Sequence, residues 1–244
     1  MNRQSRILES IQSHGFRSVQ ELAGELEVDE STIRRHLSRL EQLDLIHRTH
    51  GGARPHTASR DSDAKTPHHR EKRAIGKAMA DRIRDGHIVL LDSGTTTLEV
   101  ARALDNAELT VVTNDLRIGM EIAKKPRMQL VFIGGELLPE SSNMWGPTAV
   151  QQIEQLRVDV AVFGADSISD QGVFSTTSYE IEMQRAMLAV ASEAFIVADS
   201  SKFHRKALFR VFSLDKVTSV ITDDFMNPLT ASQFPLPIIR ASSR

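Results

Sequence analysis

The chain has 244 residues, of which 40% are hydrophobic and 25% charged, with a formal net charge of −2 and no cysteine. That balance fits a globular protein of one large domain or two smaller ones. It excludes disulfides, thiolate metal sites and cysteine nucleophiles, and no apolar run approaches the roughly 20 residues that span a bilayer.

The start, Met1-Asn2-Arg3-Gln4, is polar and runs straight into an amphipathic pattern, so it does not read as a signal peptide. Together with the lack of cysteine this points to the cytoplasm. Net charge does not advertise nucleic acid, so a DNA contact must come from local clustering.

Residues 1–56 predict three helices and a small wing. Ile7, Leu8 and Ile11 share one face of a first helix that ends near Gly15. Ser18-Val19-Gln20-Glu21 has the capping-box form and opens a second helix through Leu22, Ala23 and Leu26. After the turn Val28-Asp29-Glu30, Ser31 is expected to cap a third helix with Ile33, Leu37 and Leu40 as its core stripe. Two short helices, a tight turn and a third helix make the helix-turn-helix pattern.

The opposite face of the third helix carries Ser31, Arg35, Ser38 and Gln42, with Thr32 and Arg39 beside them and Arg34 on the flank. Arginine can bridge guanine O6 and N7 or grip phosphates, and hydroxyls suit either backbone or base edges. The acids Glu21, Glu25, Glu27, Asp29 and Glu30 lie mostly in the preceding helix and turn. A solvated arginine face, or a protein-binding unit, would show the same pattern; salt-dependent affinity for DNA separates them. Leu45 to Arg54 reads as a strand and a Gly-Gly turn, where His47, Arg48, His50 and Arg54 can reach phosphates or the minor groove. His47 and His50 have no acidic or thiol partner nearby for a metal, and His36 reads as structural or half-exposed. The residues assigned to DNA are Ser18, Ser31, Thr32, Arg34, Arg35, Ser38, Arg39, Arg48 and His50.

Residues 57–70 form a polar linker with no apolar period, and His68-His69 reads as a solvated part of it. From residue 71 to 244 the pattern becomes α/β. A helix carries Ile75, Met79 and Ile83, and apolar runs then alternate with helical stretches at 88–91, 109–112, 130–133, 158–163, 195–198 and 217–221. That alternation predicts a mostly parallel sheet with covering helices. Ligands bind beyond the carboxyl ends of such strands. The strand ends here are Asp92 to Thr97, Thr113-Asn114-Asp115, Gly134-Gly135-Glu136, Gly164-Ala165-Asp166-Ser167, Asp199-Ser200-Ser201-Lys202 and Thr222-Asp223-Asp224. The first is the most informative. A buried strand, a Ser-Gly loop and a helix opened by Thr95, Thr96 and Thr97 converge backbone N–H groups on one point, which favours an anion. No Gly-Lys-Ser/Thr follows, so it is not a Walker A loop. The expectation is a phosphate cradle; the alternative is a threonine-rich helix cap with no ligand. Asp92 and Asp166 could hold sugar hydroxyls, and Lys202 could neutralise a phosphate.

Along nearly its full length the sequence resembles the DeoR family of bacterial transcriptional regulators. The matching segments are Ser31-Thr32-Ile33-Arg34-Arg35, His50-Gly51-Gly52-Ala53, Glu71-Lys72-Arg73-Ala74-Ile75, Leu91-Asp92-Ser93-Gly94-Thr95-Thr96-Thr97, Val112-Thr113-Asn114, Ile133-Gly134-Gly135, Gly164-Ala165-Asp166 and Ala198-Asp199-Ser200-Ser201-Lys202-Phe203. The resemblance implies an N-terminal winged helix-turn-helix and a C-terminal sensor for phosphorylated sugars or related metabolites, with a fold shared with ribose-5-phosphate isomerase and coenzyme A transferases. By that likeness Ser93, Gly94, Thr95, Thr96 and Thr97 hold the phosphate, and Asp92, Asn114, Gly134, Gly135, Asp166 and Lys202 surround the sugar. Two positions depart from the family pattern. His36 stands where an aspartate is usual, which bears on a local ion pair or on operator preference. Ser167 stands where the family has glycine and the isomerases have glutamate, and a serine cannot replace a carboxylate as general acid or base at neutral pH.

The expected function is a DNA-binding regulator, a repressor of carbohydrate-metabolism genes, released from its operator by a phosphorylated sugar. It needs no cofactor or metal, and operator half-sites imply a dimer or tetramer. The rival is a sugar-phosphate isomerase with a DNA-binding appendage, which conversion of pentose or hexose phosphates would reveal. The segment from Gln233 to Ile239, with two prolines, fits an edge strand or an interface.

Overall fold

In the computed structural model, which describes residues 3–14, 16–42, 46–49, 51–55, 67–106, 108–138, 141–203 and 205–243, the chain forms two units, residues 1–66 and 67–244. Each has its own apolar core. No helix among the described residues is long and apolar enough to cross a membrane.

The N-terminal unit runs α1 (Arg3–His14), β1 (Arg17–Ser18), α2 (Val19–Leu26), α3 (Glu30–Gln42), β2 (Ile46–Thr49) and β3 (Gly52–Pro55). Ile7, Ile11, Leu22, Ile33, Leu37 and Leu40 are buried together, so the stripes read from spacing do face one another. The capping box at Ser18 is formed in both directions. Its hydroxyl accepts from the Glu21 N–H at 3.2 Å, and the Glu21 carboxylate accepts from the Ser18 N–H at 2.8 Å. The start of α3 differs from expectation. Asp29, not Ser31, caps it, accepting the Thr32 N–H at 2.9 Å, and the helix begins at Glu30. Ser31 already lies inside the helix, whereas Asp29 stands just before it, where a side-chain oxygen reaches the N–H of the third helical residue and a negative charge meets the positive end of the dipole. The wing is a three-stranded antiparallel sheet in the order β1-β3-β2. Both wing glycines are required: Gly51 has φ +84°, and a Cβ on Gly52 would strike the Arg17 carbonyl and the Phe16 ring. His50 lies outside the described residues.

The C-terminal unit opens with α4 (His69–Ala80), which starts two residues inside the expected linker. His69 is no solvated bystander: its Nε2 lies 3.7 Å from Glu99. There follow β4 (Ile88–Leu91), α5 (Thr95–Ala103), β5 (Thr110–Thr113), α6 (Leu116–Ile122), β6 (Gln129–Phe132), β7 (Glu136–Leu137), β8 (Met144–Trp145), α7 (Pro147–Glu154), β9 (Val158–Phe163), β10 (Ser167–Ser169), β11 (Gly172–Ser175), α8 (Ile181–Ala189), β12 (Ala191–Val197), β13 (Phe209–Phe212), β14 (Ser219–Asp223), α9 (Pro228–Ala231) and β15 (Ile238–Ala241).

Seven strands make one parallel sheet in the order β15-β14-β12-β9-β4-β5-β6. Its inner strands are largely buried on both sides, which is why they read as unbroken apolar runs. Val89, Leu91, Val160 and Val162 face Ile75, Met79, Leu98 and Ile118 from α4, α5 and α6. Leu90, Ala161 and Phe163 face Ile153, Met183 and Met187 from α7 and α8. Gly76 lets α4 and α5 approach closely: a Cβ there would sit 2.6 Å from the Glu99 carbonyl carbon.

The strand order reverses between β4 and β9. From β4 the chain builds outward through β5 and β6; from β9 it builds the other way through β12, β14 and β15. A crevice opens at such a switch point, where successive helices leave on opposite faces. The loops after β4 and β9 meet there, with the Asp92 N–H on the Val162 carbonyl at 2.9 Å. The segment left open between edge strand and interface contains the start of the edge strand, β15. The antiparallel sheet β10-β11-β13 and the hairpin β7-β8 were not anticipated.

Candidate functional site

At the switch point β4 ends at Leu91 and α5 begins at Thr95, so the three threonines form the first helical turn. Gly94 has φ +134° and opens that turn. Leu98 N–H donates to the Gly94 carbonyl at 3.0 Å, closing the first helical bond. The N–H groups of Thr95, Thr96 and Thr97 therefore have no intrahelical acceptor, and no partner for them occurs among the described residues. Thr97 contributes only its N–H, because its hydroxyl donates back to the Gly94 carbonyl at 3.0 Å. Ser93, Gly94 and Thr95 keep part of their surface open, while Thr96 and Thr97 are buried.

Below this loop Asp92 is 2% exposed and accepts from Gln184 Nε2 at 2.8 Å. Burial, and next the charge of Glu180, push its carboxyl up to about 7, against the bonds from Gln184 and the Ser93 N–H. Ser93 Oγ donates to Glu180 Oε1 at 3.2 Å, and Asn143 Nδ2 donates to the same oxygen. Asp115 is clamped by Arg117 at 2.7 and 3.2 Å and accepts the Gly94 N–H at 3.4 Å.

The other predicted ligand-facing residues divide. Asn114 is buried after β5; its amide donates to the Met144 carbonyl at 2.8 Å and its buried Oδ1 has no partner among the described residues. Asp199 is likewise buried with Oδ2 unpartnered, while Oδ1 caps the turn that carries Lys202. Buried acceptors left open in this way are uncommon in native interiors and mark places where a donor can arrive. Asp166 is exposed and ties down the loop after β11, accepting from the Thr176 N–H at 2.9 Å and its hydroxyl at 2.7 Å. Both backbone groups of Gly134 are taken by the Gln152 side chain at 3.2 Å. Gly135 is needed where the chain passes close to β8: a Cβ there would strike the Trp145 carbonyl oxygen. Ser167 is buried and donates to the Arg205 carbonyl at 2.6 Å.

Sequence reasoning missed Lys72, Asn143, Glu180 and Gln184 as members of this region. Lys72 is 7% exposed in α4. Burial pulls its ammonium below the usual lysine range, opposed by Asp199 and reinforced by Lys202. Its place in the segment Glu71 to Ile75 was a signal. Glu180 and Gln184 carried none, because only the fold brings them 87 and 92 residues back to Ser93 and Asp92.

In the N-terminal unit the outer face of α3 presents Ser31, Arg34, Arg35 and Arg39 exposed, with Thr32 and Ser38 half-buried. Not all are free to read a ligand. Ser31 and Thr32 donate their hydroxyls to Asp29 at 2.5 and 3.0 Å, holding its carboxyl well below the usual aspartate range. Arg34 pairs with Glu30 at 2.5 Å, and Ser38 Oγ donates to the Arg34 carbonyl at 3.0 Å. Arg35 and Arg39 have no acidic partner among the described residues. Ser18 is spent on the capping box. Arg48 lies on the wing strand β2.

A sequence profile described as the DeoR-like helix-turn-helix domain matches residues 3–58, and one described as the DeoR C terminal sensor domain matches residues 67–224. Over 229 residues the chain is 35% identical to the transcriptional repressor AccR of Agrobacterium fabrum, covering 91% of this chain and 89% of that protein. It is 32% identical over 226 residues to the glycerol-3-phosphate regulon repressor of Escherichia coli, with coverage of 91% and 90%. It is 33% identical over 229 residues to the repressor CsqR of Escherichia coli, with coverage of 91% and 87%. Among solved structures, ribose 5-phosphate isomerase A of Methanocaldococcus jannaschii aligns with a TM-score of 0.40 at 17% identity, over 55% of this chain and 54% of that one.

Proposed function

The chain belongs to the DeoR family of transcriptional regulators, and on that premise we propose that it is a repressor of carbohydrate-metabolism genes that leaves its operator when a phosphorylated sugar or related metabolite fills the crevice between β4 and β9. The observation that carries this reading is the first turn of α5. Three converging N–H groups without partners, beside a half-open serine hydroxyl, suit the several oxygens of a phosphate group. Ser93 to Thr97 hold the phosphate. Lys72 and Lys202 supply positive charge, and Asp92, Asn114 and Asp166 meet hydroxyls of the rest of the ligand. Gly134 and Gly135 shape the wall rather than donate.

Duplex DNA is read by α3. On α3, Arg35 and Arg39 are the cations with no acidic partner among the described residues; Ser31, Thr32 and Arg34 position the helix and reach DNA only by giving up internal bonds. Ser38, Arg48 and His50 complete the contact, and Ser18 holds the entry of α2. Reading paired half-sites calls for a dimer or tetramer. The unit boundary lies in the polar stretch before α4, and the protein works in the cytoplasm.

The coupling is linkage. The ligand must bind the low-affinity arrangement of the oligomer more tightly than the operator-binding one, and a 100-fold loss of operator affinity needs about 2.7 kcal/mol of difference. An isomerase reading is disfavoured by Ser167, whose hydroxyl is buried on a backbone carbonyl where those enzymes carry a carboxylate.

The test is selection of a binding site from random duplexes by the purified full-length chain. Anisotropy titrations with a panel of sugar phosphates and their unphosphorylated parents follow. One phosphorylated compound should release the selected site while its parent does not. No enriched site, equal effects of parent and ester, or conversion of a pentose phosphate would overturn the reading.

A further inference from the structure

The cradle at the switch point is not vacant of negative charge. Glu180 Oε1 accepts from Ser93 Oγ at 3.2 Å and from Asn143 Nδ2. The two donors come from loops 87 and 37 residues away, so the contact is a product of the tertiary fold. Glu180 is the residue before α8, yet its side chain makes no cap bond to its own helix. It reaches instead across to the β4–α5 loop. Among the described residues no lysine or arginine pairs with it. The neighbouring Asp115 differs, because Arg117 neutralises it and it caps α6.

This placement is electrostatically adverse. The Glu180 charge is, after burial, the largest cause raising the Asp92 carboxyl to about 7. A neighbouring negative charge disfavours ionisation of a buried carboxyl. Folding therefore keeps a carboxylate, with no lysine or arginine paired to it among the described residues, on the hydroxyl that the phosphate reading assigns to the ligand. Two anions cannot share that donor.

We propose that Glu180 is an affinity-setting residue of the effector site: its carboxylate is a built-in competitor that occupies Ser93 and Asn143 in the unliganded protein, and an incoming phosphate group must displace it. The proposal rests on the reading of Ser93 to Thr97 as the phosphate site. Displacement draws on the segment just before α8. Tyr179, the adjacent residue, stands edge-on to Trp145 with ring centroids 5.8 Å apart. Trp145 is the only tryptophan in the chain, so its emission reports on that segment.

The test compares wild type, Glu180→Gln, Glu180→Ala and Ser93→Ala as full-length proteins titrated with inorganic phosphate and with glycerol 3-phosphate, by calorimetry and by Trp145 emission. Glutamine keeps the acceptor oxygen and the shape but removes the charge. Glu180→Gln and Glu180→Ala should each bind inorganic phosphate at least tenfold more tightly than wild type. Trp145 emission should change on ligand binding in wild type and less in Glu180→Ala, and Ser93→Ala should weaken binding. Unchanged or weaker phosphate binding by both Glu180 variants, alongside a weakened Ser93→Ala, would overturn the competitor role and leave the phosphate site standing. No response of wild type and Glu180→Gln to either probe would overturn both.

Discussion

Asp92 carries an electrostatic burden that should make the stability of the C-terminal unit depend on pH. An unfolded aspartate titrates near 3.8; in the folded unit burial and then Glu180 raise this one to about 7. Between those values the folded chain keeps a proton that the unfolded chain has released. Stability must therefore fall as pH rises from about 4 to about 7 and level off above, with a loss from this group approaching about 4 kcal/mol at full extent. Asp92→Asn removes the titration. The asparagine amide can also donate to Gln184 Oε1, which is buried with no partner among the described residues. In urea unfolding the variant should come closest to wild type below about pH 3.5, where both states hold the proton, and exceed it by a few kcal/mol at pH 8. Parallel stability profiles would mean that the carboxyl does not titrate in that window.

On α3 the structure separates arginines that a helical wheel cannot. Arg35→Ala is expected to weaken selected-site binding by roughly 1–3 kcal/mol and to relax specificity, as for a base-reading arginine. Arg39→Ala should weaken all duplexes alike and lower the salt slope by about 0.9. Anisotropy titrations across salt concentrations, on selected and random duplexes, distinguish the two. The residue identities facing outward were legible from spacing. Their engagement was not, since the Asp29 cap and the Glu30 pair depend on rotamers that a sequence pattern does not encode.

At the scale of elements, periodicity was a good guide wherever burial was two-sided. The runs at 88–91 and 158–163 are the strands β4 and β9 without adjustment, and the other four overlap β5, β6, β12 and β14. The pieces that escaped have physical reasons. The hairpin β7-β8 has two residues a side, too short for an alternation. β15 follows prolines 235 and 237 and is only partly covered, as befits an edge. Tertiary contact decides the glycines too. Gly76→Ala presses a methyl into α5 and should destabilise the C-terminal unit by about 1–3 kcal/mol. In Gly24→Ala the added methyl meets nothing within 4 Å on α2, so the N-terminal unit should gain up to about 1 kcal/mol from helix propensity. Thermal unfolding of the two variants should thus move in opposite directions; a neutral Gly76→Ala would contradict the close α4–α5 crossing.

For the whole molecule, the proposed function asks how a ligand bound at the end of β4 would alter the grip of α3, which belongs to a separate unit with its own core. No direct contact between the two sites is required. Linkage demands only that ligand and operator favour different arrangements of the assembly, and it binds them reciprocally. If a saturating phosphoester lowers operator affinity 100-fold, then saturating operator must lower affinity for that ester by the same factor, since both express one coupling free energy of about 2.7 kcal/mol. Calorimetric titration of the ester into free protein and into the protein–operator complex measures this directly. Variants provide the control. Arg35→Ala should lose operator affinity while binding the ester as wild type does, and Ser93→Ala the reverse, because each alters one binding term and leaves the coupling alone. An ester affinity unaffected by operator would mean that the ester and the duplex compete for nothing and select nothing in common, and that the crevice at the switch point does not govern the DNA-reading helix.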